Sequence, residues 1–157
     1  MQQQNDGGRP WDDGVFSGIE QIYLTRVEAI CSIQIEYDRN EQFVWSVKHG
    51  GDGESTTTRI RLDYPHEVLI FICGYYGSIN RDEGSKVIKS LTFYSSRGKY
   101  GPFGEEIGTF FTSTTTEGKV VGFHGRSSLY LDAIRVHKQH WLGNPTPVKS
   151  SLFKMFS

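Results

Sequence analysis

The chain has almost no excess of either charge. Its 17 Lys+Arg and 18 Asp+Glu leave a formal net charge of −1 at pH 7 with His neutral. A duplex-binding protein normally shows a basic stripe, and there is none, so nucleic acid is not an expected partner. Long apolar runs are also missing. No stretch approaches the ~20 residues of a membrane-spanning helix, so no membrane partner is expected. Cysteine is scarce: Cys31 and Cys73 each lie in an apolar stretch, and no CxxC spacing exists. They read as two buried, reduced thiols. Met1 to Asn5 has no basic start and no apolar core, which does not read as a secretory signal. The expected compartment is therefore the cytoplasm, or nucleus and cytoplasm together. His49, His66, His124, His137 and His140 show no paired-ligand spacing, so neither a metal nor another cofactor is expected.

Helical periodicity is lacking too. What fills its place is alternation, with 18 glycines, 13% aromatic residues and 36% hydrophobic residues overall. In Glu28 to Tyr37, residues Cys31, Ile33, Ile35 and Tyr37 share one face and Ser32, Gln34 and Glu36 the other. Thr58, Ile60 and Leu62 alternate with Arg59 and Arg61, and Leu91 and Phe93 with Ser90, Thr92 and Tyr94. Val68 to Cys73 is continuously apolar, as a strand covered on both sides would be. Turn residues punctuate these runs at Asp12-Asp-Gly14, Asp38-Arg-Asn40, Gly50-Gly-Asp-Gly53, Arg97-Gly98 and Glu117-Gly118. About ten to twelve short strands result, which is an all-β sandwich, barrel or prism.

Weak internal similarity is present. Gly18-Ile-Glu-Gln-Ile-Tyr-Leu24 resembles Lys89-Ser-Leu-Thr-Phe-Tyr94, and glycine-rich loops recur near residues 7, 50 and 101. That spacing suggests a threefold organisation. After His137 the strand pattern stops, and two prolines enter. Residues 1–138 are therefore expected to form one domain and 139–157 an irregular C-terminal tail.

An ordered set of motifs then becomes specific. It comprises Gly7-Gly8-Arg-Pro-Trp-Asp-Asp-Gly14, Leu62-Asp-Tyr-Pro65, Gly74-Tyr-Tyr-Gly77, Ser90-Leu-Thr-Phe93, Tyr100-Gly-Pro-Phe-Gly104, Val121-Gly-Phe-His-Gly-Arg-Ser127 and Leu131-Asp-Ala-Ile134. In this order the chain resembles the jacalin-related lectins of plants. The resemblance implies a β-prism I fold of three four-stranded Greek-key antiparallel sheets with pseudo-threefold symmetry. It implies a non-catalytic carbohydrate-binding protein that prefers mannose or glucose, binds weakly per site, and belongs to a family that often acts in stress and defence. Glycans containing those sugars are the expected partners, and a homo-oligomer is a possible one.

The family's sugar site uses a backbone amide of the first glycine loop and a Gly-x-x-x-Asp motif. Carried over, these fall on Gly8 and on Ser128-Leu129-Tyr130-Leu131-Asp132. The Leu129 and Tyr130 amides would meet the ring oxygen and O6 region, and the Asp132 carboxylate the O4 and O6 hydroxyls. Tyr75 and Tyr76 would flank the specificity rim, with one side chain inward and the other near the rim. Three positions depart from the family pattern. Ser128 stands where the motif has glycine, which is expected to strain the loop or narrow the site. Arg135 stands where glycine follows Asp-Ala-Ile. Met1 to Asp6 is a poor match for the family's first strand, so that strand is expected to be missing and its neighbour to have an open edge.

These departures keep a second reading open, a protein-interaction module whose sugar site has decayed. Trp11 and Trp45 read as packing residues. Asp12 and Asp13 would point apart on a strand. A glycosidase needs two facing carboxylates about 5 to 10 Å apart, and only Asp132 qualifies for one of them.

Overall fold

The computed structural model describes residues 7–53, 55–79 and 85–140. Twelve strands and no helix occur among them. They are β1 (Arg9–Asp12), β2 (Gly18–Arg26), β3 (Ile30–Arg39), β4 (Gln42–Trp45), β5 (His49–Gly50) and β6 (Thr56–Arg61). They continue as β7 (Leu69–Ser78), β8 (Lys86–Ser95), β9 (Gly98–Gly104), β10 (Thr109–Thr112), β11 (Lys119–Ser127) and β12 (Leu131–Gln139). The strands form three antiparallel sheets, ordered β1-β11-β12, β10-β7-β8-β9 and β4-β3-β2-β6, with β5 also on β3.

Each sheet is built around one long hairpin: β2-β3, β7-β8 or β11-β12. The strand beside the hairpin's first arm is β6, β10 or β1 respectively. On the second arm, β4 pairs with Glu36–Arg39 and β5 with Ser32–Ile33, so these two short pieces together serve as one fourth strand. The second and third sheets are therefore four strands wide. The first has three strands among the described residues. The expected missing strand concerns Met1–Asp6, which lie outside them, as does the expected tail from residue 141 onward.

Alternation explains the packing. Ile33, Ile35 and Tyr37 are fully buried, as are Leu91 and Phe93, while Arg59 and Arg61 beside buried Ile60 stay exposed. Inward faces of all three sheets meet on one axis, where Ile22, Leu24, Ile72, Phe111, Phe123 and Ile134 join the same cluster. Each such side chain contributes roughly 1.5–3 kcal/mol by leaving water.

Two expectations need amendment. Val68 to Cys73 is not covered on both sides: Leu69 and Ile72 are buried, whereas Phe71 is half-buried and stacks on Tyr94 at 4.4 Å. Aromatic pairing on an outer face looks apolar in sequence without being core. The similarity of Gly18–Leu24 to Lys89–Tyr94 also joins non-equivalent strands, because β2 is the first arm of its hairpin and β8 the second. The two cysteines are free as expected; Cys31 is buried and Cys73 half-buried.

A polar network ties the first sheet to the third. Asp13 accepts from the Tyr37 hydroxyl at 2.7 Å and meets His49 Nε2 at 2.7 Å. The Phe123 amide donates to the same Tyr37 oxygen at 3.2 Å, and Trp11 stacks on His49 at 3.6 Å. Asp12 faces the other way, to His137 Nε2 at 2.8 Å. Asp12 and Asp13 thus point apart, and Trp11 is a packing residue.

Candidate functional site

The β11-β12 hairpin closes over five residues, with Ser127 paired to Leu131 after a register shift. Inside it the Ser128 amide donates to the Tyr130 carbonyl at 2.8 Å. This tight turn lifts Leu129 into solvent, with 78% of its surface exposed. One residue past the turn, Asp132 is 4% exposed. Its carboxylate thus sits just behind the hairpin tip.

The glycine loop packs directly against that carboxylate. Gly8 has φ +77°, and a Cβ built on it would lie 2.7 Å from the Ser127 carbonyl oxygen and 2.8 Å from Asp132 Oδ1. No other residue type fits there without displacing the backbone or the acid. The two distant segments therefore meet at one place, as the resemblance implied.

Arg126 holds the loop down. Its Nε donates to the Gly7 carbonyl at 3.0 Å and its Nη2 to the Gly8 carbonyl at 2.9 Å. With both carbonyls engaged by one planar donor, the glycine turn is fixed in register with the hairpin. From the other side, the loop at Gly51 touches Leu129: a Cβ there would be 2.3 Å from the Leu129 carbonyl oxygen. Neither contact was foreseen from sequence. Arg126 follows a glycine in a polar stretch and reads as one more strand-end residue. Gly51 belongs to a different repeat, and only the pseudo-symmetry of the glycine loops hinted at it.

Ser128 does not strain the turn, since the only non-glycine residues with positive φ are Asn40 and Glu41 among the described residues. Its hydroxyl instead donates to Asp132 Oδ1 at 2.7 Å. The serine thus uses one of the roughly four acceptor positions of a carboxylate and leaves the others. Burial pushes the Asp132 carboxyl above its usual range, while the Ser128 hydrogen bond and the Arg126 charge pull it back. Arg135 lies four pairs into the hairpin, opposite His124, away from the turn.

Tyr75 and Tyr76 belong to the sheet. Tyr76 packs on the core near Phe111 at 6.2 Å, and Tyr75 sets its ring against Phe110 at 5.5 Å on the outer face. They thus take opposite faces of β7, as strand neighbours must. The connection from β7 to β8 includes residues 80–84, which lie outside the described residues. Among the described residues no cluster of three or more His, Cys, Asp or Glu could hold a metal ion.

The geometry brings a buried carboxylate and adjacent backbone together behind the hairpin tip. Residues 2–137 match the family model described as Jacalin-like lectin domain. The chain is 63% identical over 155 residues to Jacalin-related lectin 3 of Arabidopsis thaliana, covering 96% of this chain and 26% of that protein. It is 43% identical over 137 residues to an agglutinin of Castanea crenata, covering 86% of this chain and 44% of that protein. The chain thus spans about a quarter and under a half of these relatives. Among solved structures, a mannose-specific jacalin-related lectin from Morus nigra in complex with mannose superposes with a TM-score of 0.81. That pair is 39% identical, covering 87% of this chain and 90% of the other.

Proposed function

The chain belongs to the jacalin-like lectin family, and from that premise we propose that Gly8, Ser128, Leu129, Tyr130 and Asp132 form a site for mannose or glucose. A lectin domain binds carbohydrate without transforming it, so no catalytic group is required beside Asp132. The observation that carries the proposal is the packing of Gly8 beside Asp132, more than a hundred residues away in sequence, so close that a Cβ on Gly8 would lie 2.8 Å from Asp132 Oδ1. A neutral polyol offers pairs of hydroxyl donors, and an ionised carboxylate is an acceptor only. Asp132 takes two such donors, while the Gly8, Leu129 and Tyr130 amides donate to ring and hydroxymethyl oxygens. The exposed Leu129 side chain gives the sugar's C–H face an apolar neighbour. Tyr75, on the outer face of β7, is the residue assigned in this reading to the specificity rim.

The preference for mannose is supported by the mannose-bound lectin whose fold this chain shares. Three to five exposed hydrogen bonds at roughly 1 kcal/mol each give about −4 kcal/mol, or roughly millimolar affinity for one monosaccharide. Useful avidity then comes from several sites engaging a branched glycan, through an oligomer or further domains.

Calorimetric titration with methyl α-mannoside and methyl α-galactoside tests this reading. Mannoside binding with weaker or undetectable galactoside binding is expected. Equal binding of both rejects the preference. Binding of neither, on a protein shown to be folded, favours the decayed-site alternative, in which the Ser128–Asp132 bond has closed the acceptor.

A further inference from the structure

Gly51 stands between two hairpins and touches both. On the third sheet, Arg26 pairs with Ile30 after a register shift, as Ser127 pairs with Leu131. The Val27 amide donates to the Ala29 carbonyl at 3.0 Å, matching Ser128 and Tyr130 at 2.8 Å, so Cys31 takes the place of Asp132. The Gly51 amide donates to the Cys31 carbonyl at 3.1 Å. A Cβ built on Gly51 would lie 2.3 Å from the Leu129 carbonyl oxygen, 3.0 Å from the carbonyl carbon and 3.3 Å from Leu129 Cα. All three nearest atoms are main chain of the sugar-site turn.

The base of the Gly51 loop is fixed. His49 and Gly50 pair with Ile33 and Ser32 as β5. His49 is buried, meets Asp13 Oδ1 at 2.7 Å and stacks on Trp11 at 3.6 Å. Gly50 itself is pressed against the Cys31 carbonyl. Leu129, by contrast, is the exposed tip of its turn. Of the two surfaces in contact, the tip is therefore the one that yields to added bulk.

A peptide unit is planar, and in the trans form its carbonyl and N–H point in opposite directions. The Leu129 carbonyl belongs to the same trans unit as the Tyr130 N–H. Packing Gly51 on that carbonyl therefore sets the direction of the N–H. The Tyr130 amide points to Ser128 Oγ at 3.5 Å, and that hydroxyl donates to Asp132 Oδ1 at 2.7 Å. The amide thus faces the carboxylate side of the turn. A donor already held in its binding direction adds little ordering cost when a ligand arrives.

We propose that Gly51 is a positioning residue for sugar binding, which braces the Leu129–Tyr130 peptide from behind and so aims the Tyr130 N–H at the ligand. This inference rests on the sugar-site reading above. Any Cβ at residue 51 would enter the space of the Leu129 carbonyl by more than about 1 Å relative to ordinary contact. The φ of Gly51 lies outside the left-handed region, so alanine brings this steric push without backbone strain.

The test compares Gly51→Ala with Gly53→Ala in methyl α-mannoside titrations, followed by ¹H–¹⁵N NMR on the resonances of the folded chain. Gly53 shares the loop, and a Cβ on it meets nothing within 4 Å, so Gly53→Ala should bind within about twofold of the unmodified chain. Gly51→Ala should bind about fivefold more weakly, on the scale of one hydrogen bond. Its ligand-free spectrum should differ most at Leu129 and Tyr130, with Gly8 unmoved. In the unmodified chain, saturation with mannoside should shift the Gly51 amide and leave that of Gly53 in place, a readout that needs no variant. A merely structural glycine would change the folded fraction and not the affinity of the folded chains. Gly51→Ala binding within about twofold of the unmodified chain, or a Gly51 amide unmoved at saturation, overturns the brace and leaves the sugar site standing. An unmodified chain that binds no mannoside overturns the sugar-site reading and the brace together.

Discussion

Two hairpins of this molecule share a backbone and differ in what they present. Around residues 127–131 the turn is backed by Gly8, and the next residue is Asp132, whose buried carboxylate accepts from Ser128. Around residues 26–30 the same turn is followed by Cys31, whose thiol burial pushes above its ordinary pKa, leaving it protonated and inert. One fold thus offers equivalent turns, and a handful of side chains decide which one can accept from a diol. Function here is a property of side chains placed on a repeated scaffold.

The largest effect should come from the glycine beside the second hairpin. Gly50 has φ +127°, and a Cβ there would fall 2.0 Å from the Cys31 carbonyl oxygen. Gly50→Ala should cost about 3 kcal/mol or more, through backbone strain plus a clash that only main-chain movement relieves. Chemical denaturation measures it.

Changing the acid gives the next contrast. Asp132→Ala should weaken mannoside binding by more than about tenfold, since it removes charge-assisted bonds worth roughly 1.5–3 kcal/mol. Cys31→Ala, at the matching position, should leave affinity within twofold. Comparable losses in the two variants would mean that the hairpins do not differ as described.

Acid should separate the hairpins as well. Sugar binding requires ionised Asp132, and its pKa is raised by burial. Affinity should therefore fall as pH drops through that raised value, beginning above the range of an ordinary Asp. The stability sign is opposite. A pKa raised in the folded state means the fold prefers the protonated acid, so this group's contribution is most favourable below the unfolded pKa and declines as pH rises through the folded one. Asp132→Asn should remove both dependences and be at least as stable as the parent at neutral pH, with binding lost. Thermal melts and titrations at matched pH values check both halves.

The smallest effect concerns Ser128. Ser128→Gly frees one acceptor position on Asp132 Oδ1, and affinity should rise a few-fold, on the scale of one hydrogen bond at about 1 kcal/mol. A drop instead would show that the hydroxyl orients the carboxylate for the ligand.

Much of this was legible in the sequence. Alternation exposed the long central arms, because one face of each is buried and period two survives translation into composition. The Gly8–Asp132 encounter was legible only through the resemblance. Nothing local to either residue indicates a partner more than a hundred positions away. The short strand β1 (Arg9–Asp12) was not readable as a strand, since its residues are mostly exposed and include a proline and an aspartate. Arg126 and His49 were missed for a related reason. Each acts through a specific hydrogen bond or ring contact with another sheet, and such contacts leave no periodic trace.

The most direct test of the central claim is a backbone amide NMR titration with methyl α-mannoside. Saturable shifts should centre on Gly8, Leu129 and Tyr130, with residues 26–31 unmoved. Shifts centred on the second hairpin, or none at Gly8 and residues 128–132 when the sugar is in large excess, would contradict it.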